Sequence, residues 1–234
     1  MNRVDNKGFT LIELMLAMSF ISILLLAIAM TIIQVGSLYN KGLTIKELNQ
    51  VSRDIGADVQ KGVASATFVD FDKDYQSNQD GGRLCLGSVS YIWNTAKALQ
   101  EGVATVTRYQ DDADKTIQLL RVPDSGKVYC ATNPLDGSLA QQTIRTEDVP
   151  YAQELLETGE RKLGINKFVL SLSASDEGSA QSLYTLDYTI GTGDIAAMNA
   201  DQSACKNAGE VGADLAYCNV QTFTLVLRAG NGVN

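Results

Sequence analysis

Glu13 is the group whose chemistry this sequence most needs to explain. It stands at the margin of Leu14–Ile33, LMLAMSFISILLLAIAMTII, a run of twenty residues without a charge. A carboxylate so placed is costly in hydrocarbon and demands a counter-charge, so its chemistry is electrostatic pairing rather than catalysis. Histidine is absent from all 234 residues, which removes Ser-His-Asp and Cys-His nucleophilic catalysis and every imidazole metal site. No G-x-S-x-G, Walker loop or H-E-x-x-H pattern occurs. The expectation is a protein that is not an enzyme, with no catalytic residue, no metal and no cofactor.

Two acidic clusters and one basic cluster are the other candidate sites. Asp70, Asp72, Asp74 and Asp80 lie in VDFDKDYQSNQD, but an EF-hand counted from Asp70 fails at its sixth position, Tyr75, and its twelfth, Gly81. An acidic, solvated turn is expected there, as at Asp111, Asp112 and Asp114. Arg161, Lys162 and Lys167 are the only basic concentration in a chain of formal net charge −8. Nucleic acid is an unlikely partner, because that affinity comes from many cations neutralising phosphates.

The four cysteines, Cys85, Cys130, Cys205 and Cys218, all follow the apolar run. That position implies an exported compartment, where bridges persist. Four cysteines allow three pairings. The favoured one joins Cys85 to Cys130, both within strand-like runs, and Cys205 to Cys218, closing a loop of about 13 residues for roughly 3 kcal/mol of chain entropy. Free thiols remain an alternative; a zinc site has no C-x-x-C spacing to support it.

These groups need elements to hold them. Leu14–Ile33 is long enough to cross about 30 Å of hydrocarbon as a helix. Eleven of its residues are Leu, Ile or Phe, and Ser19, Ser22 and Thr31 do not reverse that preference. Arg3 and Lys7 precede it, so the positive-inside tendency places the N-terminus in the cytoplasm and the chain after Val35 outside. Helical spacing continues through Leu48, Val51, Ile55, Val59 and Val63, with Glu47, Arg53, Asp54 and Asp58 between them. A helix from about Phe9 to Lys61 would be roughly 80 Å long. Gly36 and Gly42 mark the expected bend.

After Ala64 the periodicity changes. Strands are expected at 66–71, 83–93, 103–109, 116–122, 127–132, 167–174, 182–190 and 220–228, separated by turns such as NQDGG and PDSG. A short helix is expected at 150–159. The fold class is α+β: a long N-terminal helix packed on an antiparallel β domain. The expected division is 1–8, 9–35, 36–63 and 64–234.

The run Lys7-Gly8-Phe9-Thr10-Leu11-Ile12-Glu13-Leu14, with the charged leader before it and the apolar helix after it, resembles the prepilin signature of type IV pilins and type II secretion pseudopilins. VSRDIGADVQ and TFTLVLRAGN are similar, more weakly, to large minor pilins and J-type minor pseudopilins, and a C-terminal loop closed by Cys205 and Cys218 resembles that of many pilins. The resemblance implies a pilin-like fold. It implies cleavage by a prepilin peptidase between Gly8 and Phe9, N-methylation of Phe9, and pairing of the new amine with Glu13 of a neighbouring subunit. Loss of Arg3, Asp5 and Lys7 would take the formal charge from −8 to −9. Two opposite charges about 4 Å apart are worth ~4 kcal/mol at an effective dielectric near 20. The implied partners are other pilin subunits through the N-terminal helix, the peptidase, an inner-membrane assembly platform, and membrane lipid before assembly. The implied role is a minor pilin that initiates or caps a filament. A minor pseudopilin of a secretion or competence system, or a membrane-tethered adhesin, is the alternative.

Overall fold

The structure, a computed structural model, describes residues 10–66, 68–132, 143–156, 162–176 and 181–229. One helix, α1 (Leu11–Ser65), carries the first quarter of the chain. No proline precedes Pro123, and the sequence is rich in Leu, Ile, Ala and Met, which hold a helix well. Helix α1 ends at Ala66, whose backbone is extended and whose N–H donates to the Val63 carbonyl. No break in the helix occurs at Gly36 or Gly42: it runs through both without interruption. Each glycine costs about 1 kcal/mol, too little to break a helix already propagating on both sides.

The described residues beyond α1 form two antiparallel sheets and one short parallel pair. The five-stranded sheet has the order β1-β2-β3-β5-β7, from β1 (Tyr75–Ser77), β2 (Gly81–Cys85), β3 (Val89–Asn94), β5 (Leu119–Pro123) and β7 (Gln153–Glu154). The three-stranded sheet sets β9 (Gln181–Thr192) between β8 (Leu163–Asp176) and β10 (Val220–Ala229). The parallel pair is β4 (Arg108–Tyr109) with β6 (Thr143–Ile144). The expected α+β architecture, a long helix packed on an antiparallel β domain, is the one observed.

Several local expectations are corrected. The run 83–93 is a hairpin, broken at Gly87 with φ +84°. The segments 66–71 and 103–109 are largely turn and coil, only Arg108–Tyr109 pairing. The run 127–132 is a single 3-10 turn, Val128–Cys130, because the Asp124 carboxylate accepts the N–H groups of Val128 and Tyr129. The expected helix at 150–159 does not form over its described part: Gln153 and Glu154 make the two-residue strand β7 and the residues around them are turn or coil, since the Glu154 carboxylate accepts the N–H groups of Gln118, just before β5, and of Leu119 on β5. A second helix, α2 (Ala96–Glu101), lies between Thr95, whose hydroxyl caps it, and Gly102 in the left-handed region. Both are standard helix boundary residues.

Burial is organised around the distal half of α1. Leu48, Val51, Ile55, Val59 and Val63 are buried against alternate residues of β9, namely Tyr184, Leu186, Tyr188 and Ile190, and against Tyr91 and Trp93 of β3. Strand β3 is buried on both faces, because a second core of Ile92, Leu120, Val122 and Tyr129 covers its other side. Ring contacts Tyr75–Trp93, Trp93–Phe168, Phe168–Tyr188 and Tyr188–Phe223 carry packing from one sheet to the other.

Two tyrosines pin the helix to the sheets. The Tyr188 hydroxyl donates to the Ser52 carbonyl at 2.8 Å, and the Tyr91 hydroxyl donates to the Asp58 carboxylate at 2.6 Å. A Cβ at Gly62 would lie 2.8 Å from the Tyr91 hydroxyl and 3.0 Å from Leu86. Arg121 Nε pairs with the same Asp58 oxygen at 3.1 Å.

Two predictions follow from this docking. Glycine to alanine ordinarily favours a helix, and Gly42 has open space around it, so Gly42→Ala is expected to raise stability by up to about 1 kcal/mol. Gly62→Ala is expected to lower it by about 1–3 kcal/mol through overpacking. Thermal unfolding of both variants in detergent checks the opposite signs. Burial pushes the Tyr188 pKa up to about 12, whereas an unfolded tyrosine ionises near 10. Between those values the unfolded chain has lost a proton that the folded chain keeps, so this tyrosine's contribution to stability falls as pH rises from about 10 to about 12. Denaturation measured across that window is expected to show a shallower decline in Tyr188→Phe; an unchanged decline would remove the contact from the account.

Candidate functional site

The proximal part of α1 is the chain's most exposed apolar surface. From Leu11 to Tyr39 every large apolar side chain is open, from 47% at Leu24 and Ile28 to 78% at Leu11. No face is covered, and the first buried residue of the helix is Thr44. A surface apolar all round belongs in lipid or among other apolar helices. The helix is long and apolar enough to cross a membrane.

Its polar groups are satisfied from within. The hydroxyls of Ser19, Ser22 and Thr31 donate to the carbonyls of Leu16, Met18 and Ala27 at 2.8–2.9 Å. In hydrocarbon an unpaired hydroxyl is costly, and these three have no unmet demand.

Glu13 is held by a neighbour that the sequence reading overlooked. Its carboxylate accepts from the Thr10 N–H at 2.9 Å and from the Thr10 hydroxyl at 2.7 Å. The Thr10 hydroxyl in turn accepts from the Glu13 N–H at 3.3 Å. This is a reciprocal capping box, and Thr-x-x-Glu before an apolar run was its visible signal. The acid therefore satisfies two donors at the helix N-terminus while facing outward. Gly8 and Phe9 lie outside the described residues.

The other candidate residues divide clearly. Cys85 is bonded to Cys130 and Cys205 to Cys218, with Cα separations of 6.1 and 6.0 Å. The first bridge lies in the second core beneath the five-stranded sheet. The second closes the loop before β10, and Tyr217 in that loop accepts through its hydroxyl from Asn40 Nδ2 at 3.1 Å.

Asp74 is a correction to the solvated turn. It is 5% exposed, and its carboxylate is paired with Lys127 Nζ at 2.6 Å and accepts the Asp70 N–H at 3.0 Å. Asp70 pairs instead with Lys73, and no group of three or more potential metal ligands occurs among the described residues. The basic trio is not brought into a described patch, since Arg161 lies outside the described residues.

Compared with known proteins, the chain matches no family model, no curated protein and no solved structure.

Removing the cap tests the local geometry. Thr10→Ala is expected to weaken the first turn by about 1 kcal/mol, and hydrogen exchange of the Glu13 amide, whose N–H the Thr10 hydroxyl accepts, should accelerate roughly fivefold in micelles. Unchanged exchange would show that Thr10 does not hold Glu13.

Proposed function

We propose that this protein is a minor pilin, a structural subunit that helps to initiate or cap a type IV pilus filament. On this reading Leu14–Ile33 first anchors the chain in the membrane, with the N-terminus cytoplasmic and the β domain outside. Prepilin peptidase then cleaves between Gly8 and Phe9, Phe9 is N-methylated, and the helix passes from lipid into a bundle of like helices on the assembly platform. The observation that carries this reading is the division of α1. Its distal half is fixed in a domain by Leu48–Val63, while its proximal half is bare on every side.

Glu13 supplies register in this scheme. Its carboxylate already accepts two hydrogen bonds from Thr10, and four lone-pair positions leave room for a further donor. An incoming ammonium from a neighbour would add a charge-assisted bond in a water-poor surrounding, worth more there than at a surface.

Two experiments test the assignment. The mature N-terminus, mapped by mass spectrometry in cells with and without the peptidase, is expected to be methylated Phe9 only when the enzyme is present. Recovery of the uncleaved chain in both would overturn it. Glu13→Val is expected to leave insertion and cleavage intact and to abolish recovery of the protein in sheared filaments. Normal recovery of that variant would remove the register role.

A further inference from the structure

Arg83 is the anomaly of the β domain. It lies on β2 and is 1% exposed. Nη1 donates to the Tyr129 carbonyl at 2.6 Å and Nη2 to the Thr107 hydroxyl at 3.2 Å. Both acceptors are neutral, Nε has no hydrogen-bond partner, and among the described residues no carboxylate pairs with the guanidinium. Burial draws its pKa down to about 10, so it stays charged at neutral pH. Buried charges are ordinarily paired, and an uncompensated one is costly.

Arg83 is among the residues that line a cleft of about 150 Å³. Ser77 and Thr105 are exposed at its rim, while Arg83, Trp93, Asn94 and Thr107 form a buried floor. Asn94 is not the unsatisfied group, since its amide donates to the Thr107 and Ile117 carbonyls and accepts from the Thr107 N–H. Asp80 does not line the cleft, and its carboxylate accepts from Thr105 Oγ1. Two features shape this floor. Gly82 leaves room for the Trp93 ring, which a Cβ there would meet at 2.3 Å. The Cys85–Cys130 bridge fixes the turn that presents the Tyr129 carbonyl.

We infer that this cleft binds a carboxylate group, with Arg83 as its cation. A single guanidinium matches one negative charge, and its planar fork matches the planar carboxylate. A phosphate dianion would find no second cation among the lining residues. The carboxylate belongs either to a small free acid or to the end of a peptide chain, which share this chemistry.

The experiment uses the full chain in detergent. Trp93 is the only tryptophan and lines the cleft, so its emission reports occupancy. At constant ionic strength, with acetate replacing chloride, emission is expected to change saturably in the millimolar range and the unfolding temperature to rise. Acetamide, neutral and of the same shape, should do neither. Arg83→Gln is expected to weaken the acetate response at least about tenfold, with Arg83→Lys intermediate. Should the glutamine variant fail to fold, the comparison of acetate with acetamide on the native protein decides alone. No difference between them, a full response in folded Arg83→Gln, or tighter binding of inorganic phosphate than of acetate would overturn the site. N-acetyl-glycyl-glycine and its amide separate the sources: the free-carboxylate peptide binding tighter than acetate supports a chain end, and equal or weaker binding supports a small acid.

Discussion

The burial of one helical stripe, Leu48–Val63, under two sheets is the interaction on which the rest of the molecule depends. That stripe turns the distal half of α1 into the central element of a domain, and the sheets have no comparable core without it. The inner faces of β9 and β3 meet there, and Tyr188 and Tyr91 bond to the helix at Ser52 and Asp58. Apolar burial of this kind contributes about 25 cal/mol per Å² removed from water, and the tyrosine bonds add direction to an attraction that has none of its own. The glycine at 62 is part of the same contact, because a methyl group there would occupy the place of the Tyr91 hydroxyl.

The same docking makes the proximal half of the helix what it is. Because the domain reaches the helix at Asn40, which bonds to Tyr217, Leu11–Tyr39, about 43 Å at 1.5 Å per residue, projects without cover. Its hydroxyls bond to its own carbonyls and Glu13 bonds to Thr10, so the segment is self-sufficient in a medium that offers no hydrogen bonds. Over Leu14–Ile33 what the helix still offers is apolar surface. The helix is unbroken from there into the domain.

On the far side of the five-stranded sheet, covalent and polar constraints replace helix packing. The Cys85–Cys130 bridge, the Asp124 carboxylate and the Lys127–Asp74 pair hold a segment with little regular structure. Here buried charge is spent on shaping loops. Asp74 and Asp124 are each satisfied by the groups they organise, whereas Arg83 bonds only to neutral acceptors and is among the residues that line a cleft. That difference, between charges paired within the fold and one without a carboxylate among the described residues, is what distinguishes the cleft from the other polar interior.

The long helix and the strands β8, β9 and β10 were legible because their patterns are long: a charge-free run, a stripe at 3.6-residue spacing and alternation over eight or more residues each outweigh local noise. The short pieces were not. KVYCAT has β-branched and aromatic residues, yet Asp124 curls it into a turn; QELLE looks helical, yet Glu154 bonds across to β5. In both, a side-chain acceptor distant from any periodic signal decides the backbone. Thr10 and Thr95 are cap residues whose hydroxyls start α1 and α2, a signal too short to stand out from the chain around it. Composition and period establish that one end is apolar and helical, that an acid sits at its edge, and that the remainder is β-rich. The folded arrangement settles how far along the helix the domain reaches and that Arg83 is buried without an acid among the described residues. Those outcomes depend on which distant side chains arrive at the same place, and spacing along a chain carries no record of that.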